Sequence, residues 1–160
     1  MSEVSNAERG AAVRFPPPLV FLIATLVGVA VRYTVAPAPV PVDRMVSAVS
    51  GVLILAAGIA LARSALTLQK RTGQDPKPWK PTPELIVMGP YRFTRNPMYV
   101  GATILQIGLG IALNNLWVSL FALPALAAVH FIAVLPEEKY LTAKFGQPYV
   151  AYLDRVRRYL

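Results

Sequence analysis

Residues 98–136 read MYVGATILQIGLGIALNNLWVSLFALPALAAVHFIAVLP, and the fold turns on how this stretch is parsed. It holds two apolar runs, Met98 to Leu113 and Leu116 to Leu135, with no Asp, Glu, Lys or Arg in either. Only Asn114-Asn115 separates them. A helix that crosses a bilayer takes about 20 mostly apolar residues, so both runs are near that length. Two asparagines leave no room for a loop, and the pattern predicts a tight helical hairpin. Pro136 marks the expected end of the second run.

Two more apolar blocks lie upstream, Leu19 to Val35 and Met45 to Leu68. The first opens after Pro16-Pro17-Pro18 and carries one charge, Arg32, near its end, where a long side chain can snorkel to the interface. The proline-rich connector Ala36 to Asp43 cannot be helical. The second block contains Gly51, Ala56, Ala57, Gly58, Ala60 and Ala62, small residues that let helices approach closely in lipid, either within a bundle or between subunits. The expected architecture is all-α: one membrane domain over residues 1–160 with four transmembrane helices at 19–35, 45–68, 98–113 and 116–135. Residues 69–97 form a polar loop, and residues 136–160 an amphipathic interfacial helix. The stretch Met1 to Arg14 has no apolar core and does not read as a signal peptide.

Charge sets the expected orientation. The chain carries 16 Lys and Arg against 8 Asp and Glu, a formal net charge of +8. Arg9 and Arg14 precede the first block, and six cations from Lys70 to Arg95 lie between the second and third. Lys139, Lys144, Arg155, Arg157 and Arg158 follow the fourth, while Arg32 and Arg44 alone flank the opposite side. The positive-inside rule then puts both termini and the long loop in the cytoplasm. The apolar blocks turn the basic balance toward a membrane surface rather than nucleic acid. There are no cysteines and one histidine, His130, which excludes thiolate chemistry and a multi-histidine metal centre.

The chemically unusual residues gather on that cytoplasmic side. The densest string is Gly89-Pro90-Tyr91-Arg92-Phe93-Thr94-Arg95-Asn96-Pro97-Met98-Tyr99-Val100-Gly101. Pro97 suits the first turn of a helix and Asn96 its N-cap. Arg92 and Arg95 stand where a helix N-terminus already favours an anion, and arginine can hold a carboxylate with two parallel bonds. The bland alternative is an interfacial anchor of Tyr and Arg at the headgroups. Glu137-Glu138 is costly beside a membrane unless paired, with Arg92, Arg95 or Arg63 in reach, and a carboxylate there can also take an ammonium group. Tyr149, Tyr152 and Val156 share a helical face that suits an adenine ring, a sulfonium or a headgroup. His130 lies about two turns before Glu137 and can face the same cavity, or satisfy an interhelical hydrogen bond.

Taken together, the run from Gly89 to Gly101, the hairpin, Glu137-Glu138 and Phe145-Gly146-Gln147-Pro148-Tyr149-Val150-Ala151-Tyr152 resemble the isoprenylcysteine carboxyl methyltransferase family and its relatives, the membrane phospholipid methyltransferases. The resemblance covers the second block to the C-terminus. It implies S-adenosylmethionine as methyl donor, S-adenosylhomocysteine as product, and direct in-line transfer to a lipophilic acceptor. Arg95 to Gly101 is similar to the family's Arg-His-Pro-x-Tyr-x-Gly segment, with Asn96 where the carboxyl methyltransferases have His. Asn-Pro-Met-Tyr is the form of the phosphatidylethanolamine methyltransferase branch, and an asparagine cannot act as a base.

By this resemblance Arg95, Asn96 and Glu138 are the candidate catalytic residues. The cofactor-binding set is Tyr91, Arg92, Arg95, Asn96, Pro97, Tyr99, Gly101, Glu137, Glu138, Tyr149, Tyr152 and Arg155. His130 and Arg63 are assigned to the substrate pocket, and no metal is expected. Prenylcysteine carboxylate, phospholipid amine, small thiol and isoprenoid lipid all stay open as acceptors, as does the oligomeric state. A prokaryotic cytoplasmic membrane is the expected location. Two other classes fit parts of the pattern: an NADPH-dependent membrane reductase related to the sterol reductases, and a non-enzymatic membrane assembly factor.

Overall fold

A computed structural model describes residues 10–13 and 15–159, so Arg9 and Arg14, counted above for orientation, lie outside the described residues. Within that range the chain is helical and contains no strand. Helix α1 spans Pro17–Thr34 and begins on proline, whose missing N–H has no partner to lose in a first turn. Helix α2 spans Arg44–Arg71; its N-cap Asp43 accepts from the backbone N–H groups of Met45 and Val46 at 2.8 and 3.3 Å. After the loop comes a 3-10 turn, Gly89–Arg92, then α3, Pro97–Ala112. Helix α4 runs over Leu116–Phe145 and α5 over Gln147–Arg155.

Three of these, α1, α2 and α4, are long and apolar enough to cross a membrane. Helix α3 is apolar but has only 16 residues, about 24 Å at 1.5 Å per residue against a hydrocarbon core of about 30 Å. It runs antiparallel to α2, from the middle of that helix to its N-terminal end. The first turns of α3 place Gly101 against Gly58 and Ala62, and its last residue, Ala112, lies against Gly51. Near Ala112, Ser47 Oγ donates to the carbonyl of Ile111 at 2.6 Å.

The seam between α2 and α3 explains part of the small-residue pattern. Gly51, Gly58 and Ala65 recur every seven residues on α2 and are buried, as are Gly101 and Gly108 on α3. A Cβ on Gly58 would sit 2.7 Å from the Gly101 carbonyl, so the backbones touch only because it has none. Ala56, Ala57 and Ala60 are exposed and take no part.

At the α3–α4 turn Asn114 adopts φ +52°, a backbone region asparagine tolerates, and its Oδ1 accepts from Val40 N–H at 2.7 Å. Arg32 reaches from the end of α1 to this turn. Its Nη1 donates to the carbonyls of Leu113 at 3.3 Å and Asn114 at 2.9 Å, satisfying the open C-terminal end of α3.

Two expectations about the tail are corrected. The fourth helix does not stop at Pro136. It passes through a π turn, His130–Val134, in which the Leu135 N–H bonds to the His130 carbonyl, and continues to Phe145. The widened turn stands where the proline ring would otherwise press on a carbonyl four residues back. Nor is 136–160 one helix. Gly146, at φ +61°, breaks it, and after α5 the chain is extended at Val156.

Candidate functional site

A cavity of about 330 Å³ opens at the end of the bundle where α1 starts, α2 ends and α3 starts. Its walls are Pro17 and Phe21 of α1, Ala62 and Gln69 of α2, Met98, Tyr99 and Ala102 of α3, and Glu137, Tyr140 and Leu141 of α4. Tyr149 and Tyr152 of α5 close one side, and the loop contributes Gln74 to Pro78 and Thr82 to Ile86 except Pro83. The size is that of a small-molecule pocket.

Glu137 is held by the hydroxyl of Tyr99, which donates to its Oε1 at 2.5 Å. Across the cavity Gln69 Nε2 bonds the Tyr91 hydroxyl at 2.9 Å, and the Tyr152 hydroxyl donates to the Tyr91 carbonyl at 2.7 Å. The 3-10 turn is thereby clamped between α2 and α5. Burial pushes the phenols of Tyr91 and Tyr149 up, with Glu137 adding to the first and Glu138 to the second. The Tyr152 phenol is pushed up to about 12 by burial, partly offset by Arg95. All three are neutral hydroxyls at physiological pH, suited to hydrogen bonding and to presenting an aromatic face.

Arg95 lines the cavity with its side chain 12% exposed. Its Nη1 meets Glu138 Oε1 at 3.2 Å, while its buried Nε has no partner among the described residues. The Oε1 atoms of Gln69 and Gln74 are buried and unpartnered as well. Buried polar atoms are normally satisfied; these three belong to residues that line the cavity, while a fourth orphan, Gln106 Oε1, lies away from it on α3.

Of the residues assigned to the cofactor from the sequence, eight line this cavity: Tyr91, Arg95, Asn96, Pro97, Tyr99, Glu137, Tyr149 and Tyr152. Arg92, Gly101, Glu138 and Arg155 do not. Arg92 is exposed, and Gly101 packs on α2. Arg155 is exposed and bonds back to the Ala151 carbonyl. Glu138 is held by Arg158, through Nε at 2.9 Å and Nη2 at 2.8 Å, as well as by Arg95. Asn96 makes no capping bond; its Nδ2 donates to the Arg158 carbonyl at 3.0 Å.

The two residues assigned to the substrate are elsewhere. Arg63 is exposed on another face of α2, in a shallow groove with Thr67, Arg71 and Gly89. His130 Nδ1 contacts the Tyr159 hydroxyl at 2.8 Å, so its hydrogen bond goes to the extended C-terminal segment rather than to another helix. Residues missed by sequence reasoning include Gln69, Gln74, Thr82 and Tyr140. For Gln69 a signal existed: it continues the stripe Gly58, Ala62, Ala65 at helical spacing.

The fold and site thus define a membrane protein with a mainly apolar cavity, carrying a few polar and charged side chains, at one end of an apolar helical bundle. The sequence profile of the phospholipid methyltransferase family matches residues 46–148, more than half of the chain, and the chain belongs to that family of membrane methyltransferases. The match takes in α2, α3 and α4 and stops at the first turn of α5. No curated protein matches the sequence.

Proposed function

We propose that the cavity binds S-adenosylmethionine and that the protein passes its methyl group to a lipid-soluble acceptor at the cytoplasmic membrane face. The observation that carries this reading is the pairing of an incompletely satisfied arginine with a separate carboxylate in one cavity, Arg95 and Glu137. An amino acid moiety presents the complementary charges: Arg95 would take the carboxylate and Glu137 the ammonium. The free amide oxygens of Gln69 and Gln74 would accept from hydroxyl or amino groups of the nucleoside, and Tyr149 and Tyr152 offer aromatic faces to a ring or a cation.

The donor, when bound, supplies a methyl group already activated on a sulfonium. The chain's own work is to position, to exclude water and to admit the acceptor. Pro17, Phe21, Met98 and Ala102 form an apolar wall on the α1–α3 side, where a lipid can enter sideways. Asn96 is no base, and His130 is engaged with Tyr159 outside the cavity. Glu137 is then the one acid of the predicted set at the cavity that could receive a proton from an amine acceptor; a carboxylate or thiolate acceptor needs none.

Helix α3 is read as a fourth crossing, because it joins the cavity end of α2 to the opposite end of the bundle. The cavity end also carries Lys70, Arg71, Lys77, Arg92, Lys144 and Arg157, a positive charge that supports reading it as the cytoplasmic end. The test is methyl transfer from labelled S-adenosylmethionine into extractable lipid, using protein in vesicles of mixed bacterial phospholipid with prenylcysteine added. Transfer that drops at least about tenfold in Glu137→Gln and Arg95→Met supports the reading. Equal transfer by native protein and both variants overturns it.

A further inference from the structure

We propose that Arg158 is a positioning residue that keeps the charge of Arg95 available to an anion in the cavity. This rests on the reading of the cavity as an S-adenosylmethionine site and adds to it a residue beyond the family match, which ends at residue 148.

Glu138 stands between two guanidinium groups. Arg158 holds it with two bonds, Nε to Oε1 at 2.9 Å and Nη2 to Oε2 at 2.8 Å, the fork arrangement in which arginine binds a carboxylate best. Arg95 reaches the same carboxylate with Nη1 alone, at 3.2 Å. The negative charge of Glu138 is therefore largely spent on Arg158. Counted formally, Arg95, Glu138 and Arg158 sum to one positive charge. The member that lines the cavity is Arg95, whose Nε has no partner among the described residues. Without Arg158 the carboxylate would turn fully to Arg95, and the local charge would fall to zero.

The backbone fixes the same relation. The Arg158 carbonyl accepts from Thr94 Oγ1 at 3.1 Å and from Asn96 Nδ2 at 3.0 Å, and the Arg157 carbonyl accepts from the Arg95 N–H at 3.0 Å. The segment Thr94 to Asn96 is thus docked on the C-terminal segment by three bonds. The next residue, Tyr159, is tied to α4 through His130. Asn96 in this account orients the cavity rim rather than the reacting atoms.

The test is calorimetric titration of two ligands into detergent-purified protein: S-adenosylhomocysteine, and its decarboxylated analogue, which keeps the amine and nucleoside. Arg158→Ala is expected to weaken S-adenosylhomocysteine at least about tenfold, while the decarboxylated analogue changes by less than about threefold. Adding Glu138→Gln to Arg158→Ala restores the formal charge and is expected to recover most of the loss. Arg158→Gln is the second neutral variant should the alanine form not fold, and Arg158→Lys, with the charge but not the fork, should fall between it and native. Equal binding of S-adenosylhomocysteine by native and neutral variants overturns the proposal and leaves the cavity reading standing. A loss shared equally by both ligands and not rescued by Glu138→Gln also overturns it, since a purely structural role would behave so. If native protein binds neither ligand, the cavity reading fails and this inference falls with it.

Discussion

Replacing Gly58 by alanine tests the packing that holds the cavity together. The added Cβ would lie 2.7 Å from the Gly101 carbonyl oxygen and 2.8 Å from the Leu105 Cα, both backbone atoms that cannot swing aside. The Leu105 backbone nitrogen is closer still, and ordinary contact begins at 3.4 Å, so α2 and α3 must separate by about 1 Å. Overpacking of this kind costs about 1–3 kcal/mol, or roughly 3–10 °C in melting temperature for a chain of this size. The separation also moves Gln69 away from Tyr91, whose hydrogen bond spans 2.9 Å between α2 and the 3-10 turn. Thermal unfolding in detergent reads the first effect, and S-adenosylhomocysteine affinity the second. Ala57→Leu is the control: it adds far more volume on an exposed face of the same helix and should stay within about 0.5 kcal/mol of native. A Gly58→Ala protein as stable as native, or an Ala57→Leu protein destabilised as much, would refute the α2–α3 seam.

Three further outcomes are expected. Arg32→Met leaves the carbonyls of Leu113 and Asn114 without their charged donor and should cost about 1.5–3 kcal/mol in thermal stability. Tyr152→Phe leaves the Tyr91 carbonyl unpaired and should cost about 1–3 kcal/mol, with weaker S-adenosylhomocysteine binding measured on the same sample. Because the Tyr152 phenol is raised from the ordinary value of 10.0 to about 12, its neutral form favours the fold. That contribution is whole below pH 10 and fades as pH rises toward 12, so an alkaline unfolding series should be shallower in Tyr152→Phe than in native protein.

The helices were legible because each apolar block is bounded by proline, asparagine or charge. The cavity string Arg95 to Tyr99 was legible because proline and asparagine fix where α3 begins. The rest was hidden for physical reasons. A π turn leaves no mark in an all-apolar run, so Pro136 read as an end when the widened turn ahead of it lets the helix continue. Arg63 and Ala62 are neighbours in sequence, but 100° of helical rotation leaves one exposed on another face and puts the other on the cavity wall. Arg158 looked like one more positive-inside charge; its pairing with Glu138 depends on a chain reversal at Gly146 that spacing does not reveal. The loop residues Gln74 and Thr82 lie in a stretch without periodicity, and only their place on the cavity wall distinguishes them.

The central claim is tested most directly by titrating S-adenosylhomocysteine and NADPH separately into purified native protein and Glu137→Gln. The account predicts saturable binding of S-adenosylhomocysteine, weakened about tenfold or more by the substitution, and no binding of NADPH. Saturable NADPH binding, with none of S-adenosylhomocysteine, would contradict it and assign the cavity to hydride chemistry.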